Sequence, residues 1–358
     1  MTSTQRGPRA SRLEIDGNED AVDHAYYDRG WSDGLPIVAP TPDRVQRMLD
    51  ASGREPDDVV GLIPPRWGIA TVETIAVNAV MAGCLPEYFP IVLAVIDAVS
   101  DADFNLHGIQ ATTHPVSPMI VVNGPIVERI KLNGGSGVFG PGWRANATIG
   151  RALRLVLMNV GGGTPGSMDR AAQGHPGKYT LCIAENEPQN PWEPLHVQRG
   201  FAASENVVTL FGAASIINAC DHTSQSATSM VNLLGGAMAN TGLTQPFFGG
   251  PVAMVLCPEH AEFLAGAGYT KRDVQEALFE RATLPRAAMD ASPQWLRLTQ
   301  RHRPDQFEDL SKDFRVLEKP EDLWIIVAGG VGPHSSFVPN WSDAVQPVSR
   351  LVAACPHA

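Results

Sequence analysis
The sequence predicts an α/β protein, with helices packed on a mixed or mostly parallel sheet. Short apolar runs such as PMIVVNG (118–124), PVAMVLC (251–257) and LWIIVAGG (323–330) alternate with amphipathic stretches at helical spacing. Hydrophobic residues make up 44% of the 358 residues and charged residues 18%, which allows a substantial core and argues against a disordered or coiled-coil chain. The 34 glycines and 29 prolines punctuate short elements throughout and do not gather in one linker.

In chain order, residues 1–20 carry no apolar run and read as a flexible tail, and 21–358 read as one large α/β unit. A short helix near 20–29 leads into the turn-rich GWSDGLPIVAPT. Thr41-Pro42-Asp43 then opens a helix with a capping hydroxyl, a proline at the first helical position and an early acid. Helices over 70–83 and 86–99 meet at Gly83, the second so apolar that it must be buried. PMIVVNG is a buried strand, and residues 126–132 look helical.

Over 147–159, Ile149, Leu153, Val156, Leu157 and Val160 form one stripe, with Arg151 and Arg154 off it, and Gly161-Gly162-Gly163 stops the helix. Strands are expected at 178–185 and 206–212, a helix at 224–239, and a strand at 251–257. Helices follow at 258–266 and 271–281, the latter opened by a Thr270-x-x-Asp273 capping box, and 323–330 is the last strand. VVNGPIVERIKLNGG (121–135) is echoed by VLCPEHAEFLAGAG (255–268). Two similar α/β halves, 60–165 and 205–340, would explain the echo; chance likeness between α/β units is the alternative.

The formal charge of -11 and the absence of a basic block leave no footprint for nucleic acid or an anionic membrane, so a small molecule or a protein partner is expected. Apolar segments around 75–98 and 149–160 are broken by Asn78, Gly83, Pro86, Glu87, Pro90 and Arg154, so no membrane span is expected. Five cysteines lie far apart with no Cys-x-x-Cys pair and no secretory signal, which points to a reducing cytoplasm.

Several segments carry residues suited to chemistry. NGGSGVFGPGWRAN (133–146) is a glycine-dense loop feeding a helix, where amides at Gly135, Gly137 and Gly140 can converge on an anion. Arg144 would supply a charged fork there, and Asn146 the helix cap. In VAGGVGPHSSF (327–337), a buried strand presents His334, Ser335 and Ser336 past its carboxyl end. His107 and His114 flank a polar segment suited to acid–base work. His175 and Lys178 sit in the Gly/Pro loop QGHPGKY, and Glu185, Glu187, Glu193, His196 and Arg199 surround Trp192 in what reads as a site or as a solvated loop. Cys84, at a helix junction, is a candidate thiol, with Cys257 in a similar setting before Pro258. No metal ligand set is assigned, and no cofactor is indicated.

The segments YYDRGWSDGLPIVAPT (26–41), GLIPPRWG (61–68), AVNAVMAGCLPEYFP (76–90), HGIQATTHPVSP (107–118), FGPGWRANATIGRALRL (139–155), QGHPGKYTLCIAENE (173–187) and VAGGVGPHSSF (327–337) together resemble a family of bacterial proteins associated with the UGSC-type (seleno)protein group. The resemblance implies a bacterial, soluble enzyme or enzyme component whose redox-active thiol or selenol sits in a partner. This chain lacks the Cys-Gly-Ser-Cys that names the group, and Ala219-Cys220-Asp221-His222-Thr223-Ser224 is no equivalent.

The leading expectation is an enzyme acting on a small anionic or carbonyl-bearing substrate, by thiol-linked redox chemistry or cleavage of a carbon–heteroatom bond. Gly134 to Gly142 with Arg144 would grip the anion, His107, His114 or His334 would move protons, and Cys84 would act nearby. All of these require residues 107–114, 133–146 and 329–336 to share one cavity. One alternative is a metal-dependent hydrolase or lyase with His107, His114 and either His175 or His334 as ligands. The other is a non-catalytic subunit of a thiol- or selenol-bearing protein, and self-association into a homo-oligomer is compatible with each.

Overall fold
A computed structural model describes residues 7–289 and 292–353. The strands are β1 (Val59–Ile63), β2 (Gly68–Thr71), β3 (Ser117–Asn123), β4 (Cys182–Ala184), β5 (Val207–Ala213), β6 (Ile217–Cys220), β7 (Val252–Leu256), β8 (Thr283–Leu284), β9 (Phe314–Arg315), β10 (Leu323–Val327), β11 (His334–Val338) and β12 (Val348–Leu351). The α-helices are α1 (Glu19–Asp28), α2 (Pro42–Ser52), α3 (Val72–Ala82), α4 (Phe89–Val99), α5 (Leu106–Gln110), α6 (Ile126–Arg129), α7 (Arg144–Asn159), α8 (Leu195–Gln198), α9 (Ala227–Met238), α10 (Gln245–Phe248), α11 (Pro258–Gly266), α12 (Lys271–Arg281) and α13 (Pro293–His302).

Two four-stranded mixed sheets form the centre, ordered β12-β5-β3-β4 and β10-β7-β11-β6. Both follow one pattern. An interior strand (β3 or β7) runs parallel to an edge strand (β4 or β10) and antiparallel to its other neighbour (β5 or β11). That neighbour pairs antiparallel with the opposite edge, β12 or β6. The edge strands are exchanged: β6 follows β5 in the chain but joins the second sheet, and β12 follows β11 but joins the first. Segments 60–165 and 205–340 therefore do not separate as contiguous halves, because the first sheet takes β4, β5 and β12 from outside 60–165 or from within the other segment.

Side-chain alternation explains the layering. Ile120 and Val122 of β3 pack under α2, α3, α4 and α7, whereas Met119 and Val121 face the second sheet. On the other side, Val252, Met254 and Leu256 of β7 pack with α9, α11 and α12, while Ala253 and Val255 turn inward toward the first sheet. The result is a four-layer α/β/β/α arrangement. Strands covered on both faces are apolar at nearly every position, which is why PMIVVNG and PVAMVLC read as unbroken runs.

Several expectations shift. The strand expected at 178–185 shortens to β4, because Pro176–Lys178 forms a 3₁₀ turn. The helix over 126–132 is only the single turn α6. The polar strands β6 and β11 carry no strand signal, since INAC and HSSFV lack an apolar run, and the hairpin β1–β2 is a further addition. Of the flexible tail expected over 1–20, residues 1–6 lie outside the described residues, and the rest is corrected: the amides of Arg9 and Ala10 each donate to Glu73 Oε1 at 2.8 Å, supplying the buried carboxylate with donors, and α1 begins at Glu19. Among the described residues, no helix is long and apolar enough to cross a membrane.

Candidate active site
A cleft of about 840 Å³ opens between the 27–34 segment, α7 and the 164–179 loop. Its wall is set by the helical spacing of α7. The stripe Ile149, Leu153 and Val156 faces the core, which turns Arg151 and Arg154 the other way. Arg151 clamps Asp33 at 2.8 and 2.9 Å and also donates to the carbonyls of Leu35 and Pro36, pinning the turn that forms one lip.

Arg154 meets a carboxylate delivered by the 164–169 turn. That turn closes through Asp169 N to Thr164 O at 3.1 Å and Gly166 N to Asp169 O at 2.9 Å. Asp169 accepts from Lys178 Nζ at 2.9 and 2.8 Å and from Arg154 Nη2 at 3.4 Å. Side-chain exposures are 5% for Asp169, 14% for Lys178 and 12% for Arg154, so one buried carboxylate is shared by two cations. Burial lowers the pKa of both Lys178 and Arg154, and Asp169 opposes that shift. With both cations charged, the triad carries one positive charge not matched by its own carboxylate. A tighter fissure behind the cleft shares these three residues but has room for only about 20 Å³.

His175 lines this wall, and His114 lies next to it without lining the cleft. His175 caps the 3₁₀ turn: its Nδ1 accepts from Gly177 N at 3.1 Å, and its Nε2 lies 3.2 Å from both Ser117 Oγ and the Ala213 carbonyl. A carbonyl only accepts, so the proton is assigned to Nε2 and both ring nitrogens are engaged. His114 has a buried Nδ1 with no hydrogen-bond partner, and its ring centre lies 6.4 Å from that of Trp341. Burial, followed by His175 and Lys178, pulls its pKa down to about 4. It is therefore neutral near pH 7, and its unpaired Nδ1 is shielded from solvent. The loop carrying it is tied to the cleft loop by Ala172 N to Thr113 O at 2.9 Å.

The other expected site residues lie elsewhere. Arg144 donates to the Gly83 carbonyl at 3.0 and 3.1 Å, closing the carboxyl end of α3. Asn146 is no cap; Trp143 stands at that position. Its buried amide instead bridges Asn133 N, Asn133 O and Cys182 O. Gly135 N is taken by Asn133 Oδ1 and Gly140 N by Gly137 O, so these amides bond within the loop and do not converge on a guest. Gly134 is pressed against the carbonyls of Ala184 and Glu185, where a Cβ would sit at 2.8 and 2.9 Å, and Gly137 adopts a φ of 69°.

Cys84 is buried, points its thiol at Thr148 O, and is pushed up to about 12, chiefly by burial; the expectation of a reactive thiol there is corrected. His107 is exposed and stacks on Trp67. Ser335 is buried against His260 Nδ1 at 2.7 Å, and Cys257 N donates to its hydroxyl, so it is closed to a substrate. Ser336, half-buried, lies within the second sheet, paired with Asn218 and Val255.

One shared cavity is not what forms. Gly329 N donates to Gly134 O at 2.8 Å, and Gly330 packs on Ser136, so the two glycine loops do meet, at the carboxyl ends of β4 and β10. His175 instead meets Ser117 and Ala213, at the opposite end of β3 and β5, with His114 beside it. A strand of that length separates the two ends by roughly 20 Å. The ligand set of His107, His114 and His175 or His334 is not assembled among the described residues.

The cluster around Trp192 is only partly solvated: Glu193 and Arg199 are exposed, whereas Glu185 and His196 are buried. Glu185 is buried and accepts from Asn123, Asn190 and the amides of Leu195 and Val327, while Arg199 stacks on Trp324 at 3.5 Å. Asp169, which organises the cleft, carried no sequence signal, since an acid in a glycine-rich loop is ordinarily solvated.

The chain matches no known family model. A search of curated proteins finds no match either.

Proposed function
We propose that the protein is an enzyme that holds a small anionic or carbonyl-bearing substrate in the cleft beside Lys178. Lys178 and Arg154 would orient the anionic or carbonyl oxygen. The observation that carries this reading is the Arg154–Asp169–Lys178 triad, whose two cations share one carboxylate on the wall of a cavity of about 840 Å³. A carboxylate or phosphate entering there meets positive charge that the triad's own carboxylate does not match, and a hydrogen bond between charged groups is strong. Such a cation pair suits negative charge developing on an oxygen, as in proton abstraction beside a carbonyl or cleavage of a carbon–heteroatom bond. With Cys84 buried, the likeness to UGSC-type proteins enters the proposal only as a thiol or selenol supplied by a partner.

The test is ligand-induced thermal stabilisation with inorganic phosphate and a series of short mono- and dicarboxylates and 2-oxo acids. At least one should raise the melting temperature of the wild type and of R144A, and leave K178A and R154A unshifted from their own baselines. A shift lost in R144A but kept in K178A would move the anion site to the glycine loop and end this proposal.

A further inference from the structure
Cys220, His222 and His334 bring three ligand atoms within 4.8 Å of one another. We propose that they bind a borderline-soft divalent cation of the zinc class, at a site separate from the cleft and sharing no residue with it. The strand pairing makes the group. Cys220 at the end of β6 lies directly opposite His334 at the start of β11, and His222 follows two residues after Cys220. Directly paired residues point to the same face, and the bend that follows β6 sets the His222 ring against that of His334. The alternate positions Ala219 and Ser335 are buried, so the three ligand residues stand together on the exposed side.

The geometry suits a tetrahedral ion. Cys220 Sγ lies 3.9 Å from His334 Nε2. Zinc–sulfur and zinc–nitrogen bonds at a tetrahedral angle place such a pair about 3.6 Å apart, so closure asks only a small side-chain adjustment. The His222 and His334 rings are 5.5 Å apart and nearly perpendicular, which leaves room for both to turn a nitrogen inward. His334 Nδ1 lies 3.2 Å from Asn218 Oδ1, whose carbonyl oxygen accepts the Nδ1 proton and leaves the Nε2 lone pair facing Cys220. A histidine that binds a metal through Nε2 needs that tautomer.

One thiolate and two imidazoles select zinc-class or copper-class ions over magnesium and calcium, which require oxygen donors. All three residues are exposed, so a fourth position is left to water or a substrate atom, as in catalytic rather than structural zinc sites. The turn before His334 rests on the other glycine loop, where Gly330 meets Ser136, so the backbone that aims His334 is braced from the first sheet.

The test is titration of tag-free, reduced, chelator-stripped protein with Co²⁺ as a spectroscopic stand-in, followed by displacement with Zn²⁺. One equivalent should give a thiolate-to-cobalt charge-transfer band that Zn²⁺ abolishes and Mg²⁺ does not. C220S should lose the band, H222A and H334A should weaken binding at least tenfold, and N218A, a positioning change, should weaken it roughly tenfold. C84S should bind as wild type. No stoichiometric band, or wild-type binding by both C220S and H334A, would overturn the proposal; circular dichroism of each variant separates loss of ligand from loss of fold.

Discussion

Lys178 Nζ lies 2.8 and 2.9 Å from the two carboxylate oxygens of Asp169, nine residues earlier, while Arg154 reaches the same carboxylate from α7. Removing the shared charge leaves two poorly solvated cations facing each other. D169N is expected to destabilise the fold by roughly 3 kcal/mol. K178M, which leaves Asp169 paired with Arg154, should cost less. Urea unfolding of the two variants checks the order, and equal midpoints for D169N and wild type would show that the triad does not hold the wall together.

Acid should weaken the fold through His114. Its pKa is held at about 4 in the folded chain, below the ordinary histidine value, so the unfolded chain binds the proton first. The contribution is fully present above about pH 6.5 and is lost as pH falls toward 4. A tenfold difference in proton affinity between the folded and unfolded chain corresponds to about 1.4 kcal/mol, and solvent screening at a half-buried ring reduces the total to roughly 1–2 kcal/mol. Unfolding midpoints measured from pH 7 to pH 4 should fall less steeply in H114N than in wild type.

Thiol reactivity should follow burial. Cys84, Cys182 and Cys257 are buried, and Cys220 is exposed; Cys355 lies outside the described residues. Brief alkylation of the native protein, mapped by peptide mass, should label Cys220 and spare the three buried residues until denaturant is added. Native-state labelling of Cys84 would restore it as a candidate nucleophile.

Asn146 should behave as a structural residue. Its side chain makes three buried hydrogen bonds that tie the glycine loop to α7 and β4. N146A leaves those groups unpaired and is expected to cost about 2–4 kcal/mol. R144A removes only an exposed link to Gly83 O and should cost under about 1 kcal/mol. Equal, small losses in both would undo the contrast between brace and surface contact.

The sequence by itself determined the α/β class, the buried strands β3, β7 and β10, and the helices α7, α11 and α12, because hydrophobic period and capping residues act over a few neighbours. It also marked His114, His175 and Lys178 as residues in polar loops worth chemical attention. Only the tertiary structure decided that β6 and β12 cross to the opposite sheets, that Asp169 joins Lys178 and Arg154, and that Cys220 faces His334. Sheet order and cross-strand partners depend on contacts between residues far apart in the chain, which no local pattern encodes. The same distance explains why two of the three expected loops met and the third did not: each was readable as a turn, but which end of a strand it occupies is set by the sheet.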